Sequence, residues 1–152
     1  MNTFDENNTA EGFRPTREEL NEFIKGQVIG VISTLDESGA PMSATVAFSV
    51  TEGDDLMVGT SETSHKSQNV DRDSRVAVTI TNAEKRYTLQ LQGTARKVNE
   101  ETFESVYAEA HFGQRPESLP FKDKPGQCHI LITPTHMRFS DCSVNPWAIT
   151  EF

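Results

Sequence analysis

The sequence predicts a mainly β fold, namely a closed or partly closed antiparallel barrel of six or seven short strands with Greek-key-like connections and flanking helices. Segments rich in β-branched residues recur along the chain, and turn sequences of hairpin length separate most of them. Helical periodicity is confined to a few segments, at the ends and at one crossover. A doubly wound parallel sheet is less favoured, because strands do not alternate with helices of crossover length.

Length, composition and charge indicate one soluble domain. The chain has 152 residues, of which 35% are hydrophobic and 24% charged, and this suits a single core. We predict a loose polar arm over residues 1–14 and one domain over residues 15–152. No apolar run approaches the ~20 residues that span a bilayer, and the first ten residues lack signal-peptide features, so we expect a cytoplasmic protein without a membrane partner. The net charge of -9 also disfavours nucleic acid as a partner.

The first half of the chain is predicted to form a helix and three strands. Thr16 and Glu19 have capping-box spacing at the start of a helix that ends at Gly26. QVIGVISTL at 27–35 predicts a strand, and DESGAP predicts the turn that follows it. In MSATVAFSVT at 42–51, apolar and polar residues alternate as in a strand with one buried face. The turn EGDD then leads into a third strand, DLMVGT.

The second half adds strands and one longer helix. RVAVTI at 75–80 and YTLQLQGTARKV at 87–98 predict the fourth and fifth strands. Apolar residues at helical spacing then predict a helix that ends near Gly113. Residues 114–127 are rich in proline, glycine and charge, which predicts a loop. HILIT and HMRFS are typical of a final pair of strands.

The stretch GTSETSHKSQN at 59–69 predicts an anion site, because it joins a strand end to a short helix. Ser64 is a suitable N-cap, and His65 and Lys66 fall in the first turn. Unpaired backbone N–H groups and the positive end of the helix dipole attract an anion there, and the serine and lysine side chains add donors. A phosphate is the natural occupant. The alternative is that Ser64 only caps the helix while Lys66 points into water.

Metal and disulfide chemistry are not expected. No pair of the following residues, all of metal-ligand type, has the spacing of a zinc knuckle or a helical His–Glu motif: His111, Cys128, His129, His136 and Cys142. We therefore predict no metal site, histidines mostly at the surface, and two free thiols.

The sequence resembles the flavin-binding split-barrel family, whose best-known member is pyridoxamine 5'-phosphate oxidase. The resemblance covers about residues 20–100, and its specificity lies in the order and spacing of individually weak segments. These segments are VIGVISTL, the turn DESGAP, DLMVGT with TSETSHKSQNV, RDSRVAVTI, and LQLQGTARKV.

The resemblance implies a homodimer of split barrels that binds two FMN molecules in clefts at the subunit interface. Within the stretch that begins at Gly59, four residues match the family's phosphate-binding positions: Thr60, Ser64, His65 and Lys66. Ala44, Thr45 and Val46 match the strand that lies along the flavin ring, where backbone groups would meet its pyrimidine edge.

Two further side chains are candidates for the cofactor cleft. Gln90 alternates with Leu89 and Leu91 and could cross the interface to the ring, or it could belong to an ordinary polar face. Trp147 is the only tryptophan. It would either wall the cleft from the partner subunit, since an aromatic plane stacks on flavin, or plug the open end of the barrel.

The chain also departs from the oxidase. Ala44 and Ser49 stand where the oxidase has an arginine and a lysine, and the C-terminal substrate signature is replaced by SDCSVNPWAITEF. Pyridoxamine phosphate oxidation is therefore not expected, and the fit is better to short, single-domain relatives.

The resulting hypothesis is an FMN-dependent oxidoreductase that passes hydride or electrons between a reduced nicotinamide and an unassigned small acceptor. No side chain is assigned as a general acid or base. The alternatives are a non-catalytic flavin-binding stress-response protein, a deazaflavin-dependent reductase, and a dimeric interaction protein that holds no cofactor.

Overall fold

The framework of the protein is an antiparallel β-sheet in a computed structural model that describes residues 11–152. Its strands are β1 (Ile29–Leu35), β2 (Pro41–Ala47), β3 (Ser49–Val50), β4 (Leu56–Ser61), β5 (Arg75–Asn82), β6 (Tyr87–Val98), β7 (Gln127–Asp141) and β8 (Ala148–Glu151). Seven of them follow the order β2-β1-β5-β6-β7-β4-β3, and β8 pairs with β7. Because β2 also contacts β4, the sheet curls into a split barrel. The predicted mainly β split barrel is confirmed.

Short helices flank the barrel. They are α1 (Arg17–Gly26), α2 (His65–Arg72), α3 (Glu100–Thr102) and α4 (Ala108–Gln114), with a π-helical turn at Phe103–Tyr107 and a 3-10 turn at Pro116–Phe121. The capping box predicted for α1 is present, since the Thr16 hydroxyl accepts from the Glu19 backbone and the Glu19 carboxylate accepts from the Thr16 backbone. None of the helices in residues 11–152 is long and apolar enough to cross a membrane.

Three segments differ from the prediction. The alternating stretch 42–51 is divided into β2 and β3, because strand pairing is interrupted at Phe48: β2 pairs with β1, whereas β3 pairs with β4. The predicted final strand pair is the single strand β7, which runs through Pro134. The ladder tolerates this proline because its register shifts there, next to Gly93. The predicted loop 114–127 contains the 3-10 turn, whose first position is a proline.

Apolar side chains form two clusters on opposite faces of the sheet. The larger fills the barrel and includes Phe48, Val58 and Phe139. A second cluster lies between the sheet and the helical segment that follows β6; it consists of Met57, Val98, Phe103, Ala108 and Leu131. The strands β4 and β7 are therefore covered on both faces, by the barrel core on one side and by helices on the other.

The residues directly before α1 are attached to the sheet. Residues 1–10 of the predicted loose arm lie outside the described residues. Phe13 stacks on Tyr87, with 5.4 Å between ring centroids, and meets Phe139 edge to face. The Phe13 backbone N–H also donates to the Asp141 carboxylate at 2.7 Å, so the arm does not remain loose up to residue 14.

Candidate functional site

The predicted anion-binding stretch forms a capped helix start at the end of β4. Ser64 is the N-cap of α2, and its Oγ accepts from the backbone N–H of Ser67 at 3.3 Å. The Thr60 hydroxyl donates to the same oxygen at 3.2 Å. Since Ser64 Oγ accepts both of these bonds, its own proton is left to donate outward.

The first turn of α2 offers further donors. Within residues 11–152, no acceptor is bonded to the backbone N–H groups of His65 and Lys66, and the Lys66 ammonium forms no ion pair. The first turn also contains no acidic residue. The start of α2 thus carries two open N–H groups, the Ser64 hydroxyl and the Lys66 side chain at the positive end of a helix dipole.

Buried polar contacts fix α2 across the end of the barrel. Asn69 is 1% exposed, and its amide donates to the Thr34 hydroxyl at 2.9 Å. Ser67 is fully buried, with its Oγ 3.5 Å from Cys128 Sγ. These contacts tie α2 to β1 and β7, so the donors at its start are held in place before any ligand arrives.

The strand predicted to lie along a flavin is at one end of the sheet order. β2 pairs with β1 and has no ladder partner on its other side among the described strands. Val46 points into the barrel core, whereas Thr45 is exposed and Ala44 is half-buried. The free backbone groups on the open edge of β2 are therefore available to a planar polar ligand.

Thr45 and Gln90 lie in one row across the exposed face of the sheet. Thr45 pairs with Val31, Val31 with Thr79, and Thr79 with Gln90. All four side chains are exposed. Three ladder steps of about 4.8 Å separate the ends of this row by about 14 Å. Gln90 thus shares a face with Thr45, although several strands away.

Trp147 does not plug the barrel, since its side chain is 51% exposed. It follows β7, whereas Cys128, which pairs with Thr60, is at the start of that strand. Within one chain, Trp147 and the donors around Ser64 therefore lie at opposite ends of β7, and the structure does not bring them together.

Two histidines predicted to be at the surface are instead buried on the helix-covered face. His111 is 3% exposed and His129 is 9% exposed. The sequence signal for His129 is Leu131, because an apolar residue on the second face of HILIT indicates that this face is covered as well. Burial lowers the pKa of both rings from 6.5 to about 4, and the charge of Arg115 adds to the effect at His111. Both imidazoles are neutral at pH 7.

No group of three or more metal-ligand side chains occurs in the part of the chain that the structure describes. His111 and His129 approach one another, with 5.7 Å between ring centroids. His136 lies elsewhere, within 3.8 Å of the Glu151 carboxylate on the exposed face.

Comparison with known families gives one match that spans most of the chain. The model of the pyridoxamine 5'-phosphate oxidase family matches residues 16–141, a range that includes every strand from β1 to β7. A search of curated proteins found no match.

Several solved structures have a similar fold. A heme binding protein from Mycobacterium smegmatis aligns with a TM-score of 0.73 and 17% identity over 92% of this chain and 59% of its own. The chain thus spans about three fifths of that protein. General Stress Protein 26 from Bacillus anthracis aligns with a TM-score of 0.67 and 21% identity, over 90% of this chain and 98% of its own. A putative pyridoxamine 5'-phosphate oxidase from Listeria innocua aligns with a TM-score of 0.65 and 18% identity, over 81% and 96%.

Proposed function

The chain belongs to the pyridoxamine 5'-phosphate oxidase family, and from this premise we propose that it is an FMN-binding oxidoreductase that acts as a homodimer in the cytoplasm. It would pass hydride or electrons between a reduced nicotinamide and a small acceptor. Pyridoxamine phosphate itself is not the proposed substrate, because Ala44 and Ser49 replace two cations of the oxidase.

The observation that carries the proposal is the open donor set at the start of α2. A phosphate monoester presents a dianion with three acceptor oxygens. The N–H groups of His65 and Lys66, the outward proton of Ser64 and the Lys66 ammonium match that charge and that number of acceptors. The fit therefore rests on donors that lack any other acceptor in residues 11–152, rather than on composition.

The ring of the cofactor is proposed to lie along the open edge of β2. Backbone groups of Ala44, Thr45 and Val46 would meet its polar edge, a role that depends on strand position more than on side chain. FMN would supply the redox chemistry, while these residues bind and orient it.

The exposed face of the sheet is the proposed dimer surface. Its central row consists of small, uncharged or apolar side chains: Thr45, Val31, Thr79 and Gln90. An uncharged surface of this kind suits a self-complementary contact between two copies. In that assembly Gln90 and Trp147 of the partner are proposed to reach the cofactor, since neither lies near Ser64 of its own chain.

A second candidate is a flavin-binding stress protein without turnover. The supporting observation is that the two histidines whose pKa is lowered by burial, His111 and His129, lie on the other face of β4 and β7, away from the proposed phosphate. A catalytic acid or base is thus not evident beside the proposed phosphate. General Stress Protein 26 from Bacillus anthracis, which this chain covers over 98% of its length, fits the same interpretation.

The decisive experiment is a visible absorption spectrum of the freshly purified protein, with chromatographic identification of any chromophore released on denaturation. We expect a flavin spectrum and released FMN. A heme spectrum would reject FMN in favour of heme, the ligand named for the Mycobacterium smegmatis protein. A colourless protein that also fails to take up added FMN would reject the cofactor and leave a deazaflavin or no cofactor. Turnover with reduced nicotinamides then separates the oxidoreductase from the stress protein.

A further inference from the structure

A cavity of about 230 Å³ lies between the β4–β7 strand pair and the helical segment that ends in the 3-10 turn. We call it the histidine cavity. Its lining includes His111, Phe112, Ser118, Lys122, Gln127 and His129.

The histidine cavity is separate from the proposed phosphate site. Along β4, Val58 faces the barrel core, while Met57 belongs to the second cluster and Gly59 lines the cavity. Thr60 returns to the other side, where its hydroxyl contacts Ser64. The two sites therefore lie on opposite faces of the same strand.

His129 is a buried polar side chain without a partner. It is 9% exposed and stacks on Phe103, with 3.4 Å between ring centroids and 6° between planes. Neither of its ring nitrogens is hydrogen-bonded to any residue in 11–152. Neither nitrogen is among the fully enclosed unpaired polar atoms of residues 11–152, so both are accessible from the cavity that His129 lines, where a ligand can hydrogen-bond to them in place of water.

His111 presents a second open nitrogen to the same space. Its Nδ1 lies 2.7 Å from Ser49 Oγ, while its Nε2 bonds to no described residue. Because the Ser49 contact fixes the orientation of the ring, it also fixes the position of the free Nε2 atom. The cavity is thus lined by two neutral imidazoles that each donate or accept one hydrogen bond.

One cation and one aromatic wall complete the lining. The Lys122 ammonium lies 5.9 Å from the centroid of the Phe112 ring and 3.8 Å from the Glu104 carboxylate, with its side chain 39% exposed. An ion pair between two such exposed side chains contributes little, so the ammonium can also pair with one carboxylate of a ligand at the rim. The Phe112 ring offers an apolar contact to a planar group.

The cavity limits the size of its occupant. Its volume equals on the order of seven waters at ~30 Å³ each and lies below the ~300–1,000 Å³ of pockets for drug-sized ligands. A single ring with one small substituent fits, whereas a nucleotide does not.

We propose that the histidine cavity binds a small aromatic monocarboxylate whose ring carries a hydrogen-bonding atom, with the carboxylate at Lys122 and the ring atom at His129. Pyridine-3-carboxylate is the simplest probe of this class. The proposal goes beyond flavin binding and does not depend on it.

The test is a titration of the whole protein at pH 7 with pyridine-3-carboxylate, followed by calorimetry and by the imidazole nitrogen resonances in NMR spectra. We expect saturable binding that shifts the resonances of His129 and His111 but not of His136. Benzoate, which lacks the ring nitrogen, and the uncharged pyridine-3-carboxamide should each bind at least about tenfold more weakly. Inorganic phosphate should not bind in the cavity.

Two variants identify the contacts. H129F retains a ring that stacks on Phe103 but has no nitrogen, and it should lose at least tenfold in affinity; H136F is the matched control. K122M alters a half-exposed side chain. It should weaken binding of pyridine-3-carboxylate without affecting binding of the carboxamide. Thermal melts establish that both variants fold.

Unchanged affinity in H129F, preference for the carboxamide, or absence of binding by any of these probes would overturn the proposal. The titration is repeated with saturating FMN. Loss of binding through competition with FMN would also overturn it, because the two sites lie on opposite faces. If the protein binds pyridine-3-carboxylate but no FMN, this proposal stands and the proposed flavin site is wrong.

Discussion

The Nδ1 atom of His111 lies 2.7 Å from the Oγ atom of Ser49, and both residues are buried. This bond joins α4 to β3, and a second link beside it joins the Gln114 amide to both backbone polar groups of Val50. Ser49 thus holds a neutral imidazole, and the two links together fix α4 on β3.

Lys66→Ala should weaken FMN binding, because the proposed phosphate loses its ammonium partner. A hydrogen bond to a charged group contributes about 1.5–3 kcal/mol, which predicts a loss of roughly 10- to 150-fold. Quenching of flavin fluorescence during titration measures it. Lys85→Ala, in the β5–β6 connection, is the control and should retain full affinity. Equal affinity of both variants would reject the phosphate assignment.

Substitutions at Ser64 should separate helix capping from anion binding. Ser64→Asp retains an N-cap acceptor for α2, so the free energy of unfolding should change little. Its carboxylate would face the cofactor phosphate, and FMN affinity should fall below that of Lys66→Ala. Ser64→Ala should instead lose about 0.5–2 kcal/mol of stability. Urea unfolding measures the stability of both variants, and FMN titration measures their affinity. Tight FMN binding by Ser64→Asp would contradict a phosphate site beside Ser64.

The sequence was sufficient for the barrel and for the start of α2, because those features have local signals. Alternation, the capping box at Thr16 and the N-cap at Ser64 depend on neighbours within a few residues. The continuity of β7 through Pro134 depends instead on a bulge opposite Gly93, and that pairing is made by a distant strand. Local periodicity carries no information about it.

The candidate site was predictable to the same limited extent. The donors at Thr60, Ser64, His65 and Lys66 are close in sequence, and the helix start brings them together. His111 and His129 meet only because α4 packs against β4 and β7, and neither has a local motif. The cofactor, the dimer and the roles of Gln90 and Trp147 remain predictions.

Stability should fall between pH 6.5 and pH 4 because of the two buried histidines. Burial lowers the pKa of His111 and His129 to about 4 from 6.5, with Arg115 lowering and Glu117 raising the value at His111. In this window the unfolded chain binds protons that the folded chain excludes, so acid favours unfolding. At pH 5 each ring contributes a loss of up to about 2 kcal/mol.

Urea unfolding at pH 7.5 and pH 5 measures this effect. H129F removes one titrating group, so its stability should depend less on pH than that of the parent, whereas H136F should retain the full dependence. A parent protein equally stable at both pH values would contradict the burial of neutral rings.

Replacing Arg115 should destabilise the protein more than replacing an exposed arginine. Arg115 is 4% exposed, and its guanidinium donates to the backbone carbonyls of Ile24, in the last turn of α1, and of Gln27, the C-cap. Arg115→Met removes the donor from the carbonyls of Lys25 and Gln27, whereas Ile24 still accepts from the Gln27 backbone N–H; this should cost about 2–4 kcal/mol. Arg75→Met, at an exposed pair with Asp73, should cost less than about 1 kcal/mol. Chemical unfolding compares them, and equal costs would show that Arg115 does not cap α1.

Thr79→Arg should separate the proposed dimer without unfolding the barrel. Thr79 is exposed in the middle of the row that joins Thr45 to Gln90. In a two-fold interface, an arginine there meets its own copy or lies near it, so like charges are brought together with a large side chain. Sedimentation should give a dimer for the parent and a monomer for the variant, with far-UV circular dichroism unchanged.

Loss of the dimer should also lower FMN affinity, since the proposed cleft uses both copies. Ser105→Arg, exposed on the helical segment after β6, is the control for added charge and should remain dimeric with full FMN affinity. A Thr79→Arg protein that stays dimeric would move the interface to another face of the barrel. If it became monomeric yet bound FMN as tightly as the parent, the cofactor site would belong to one chain alone.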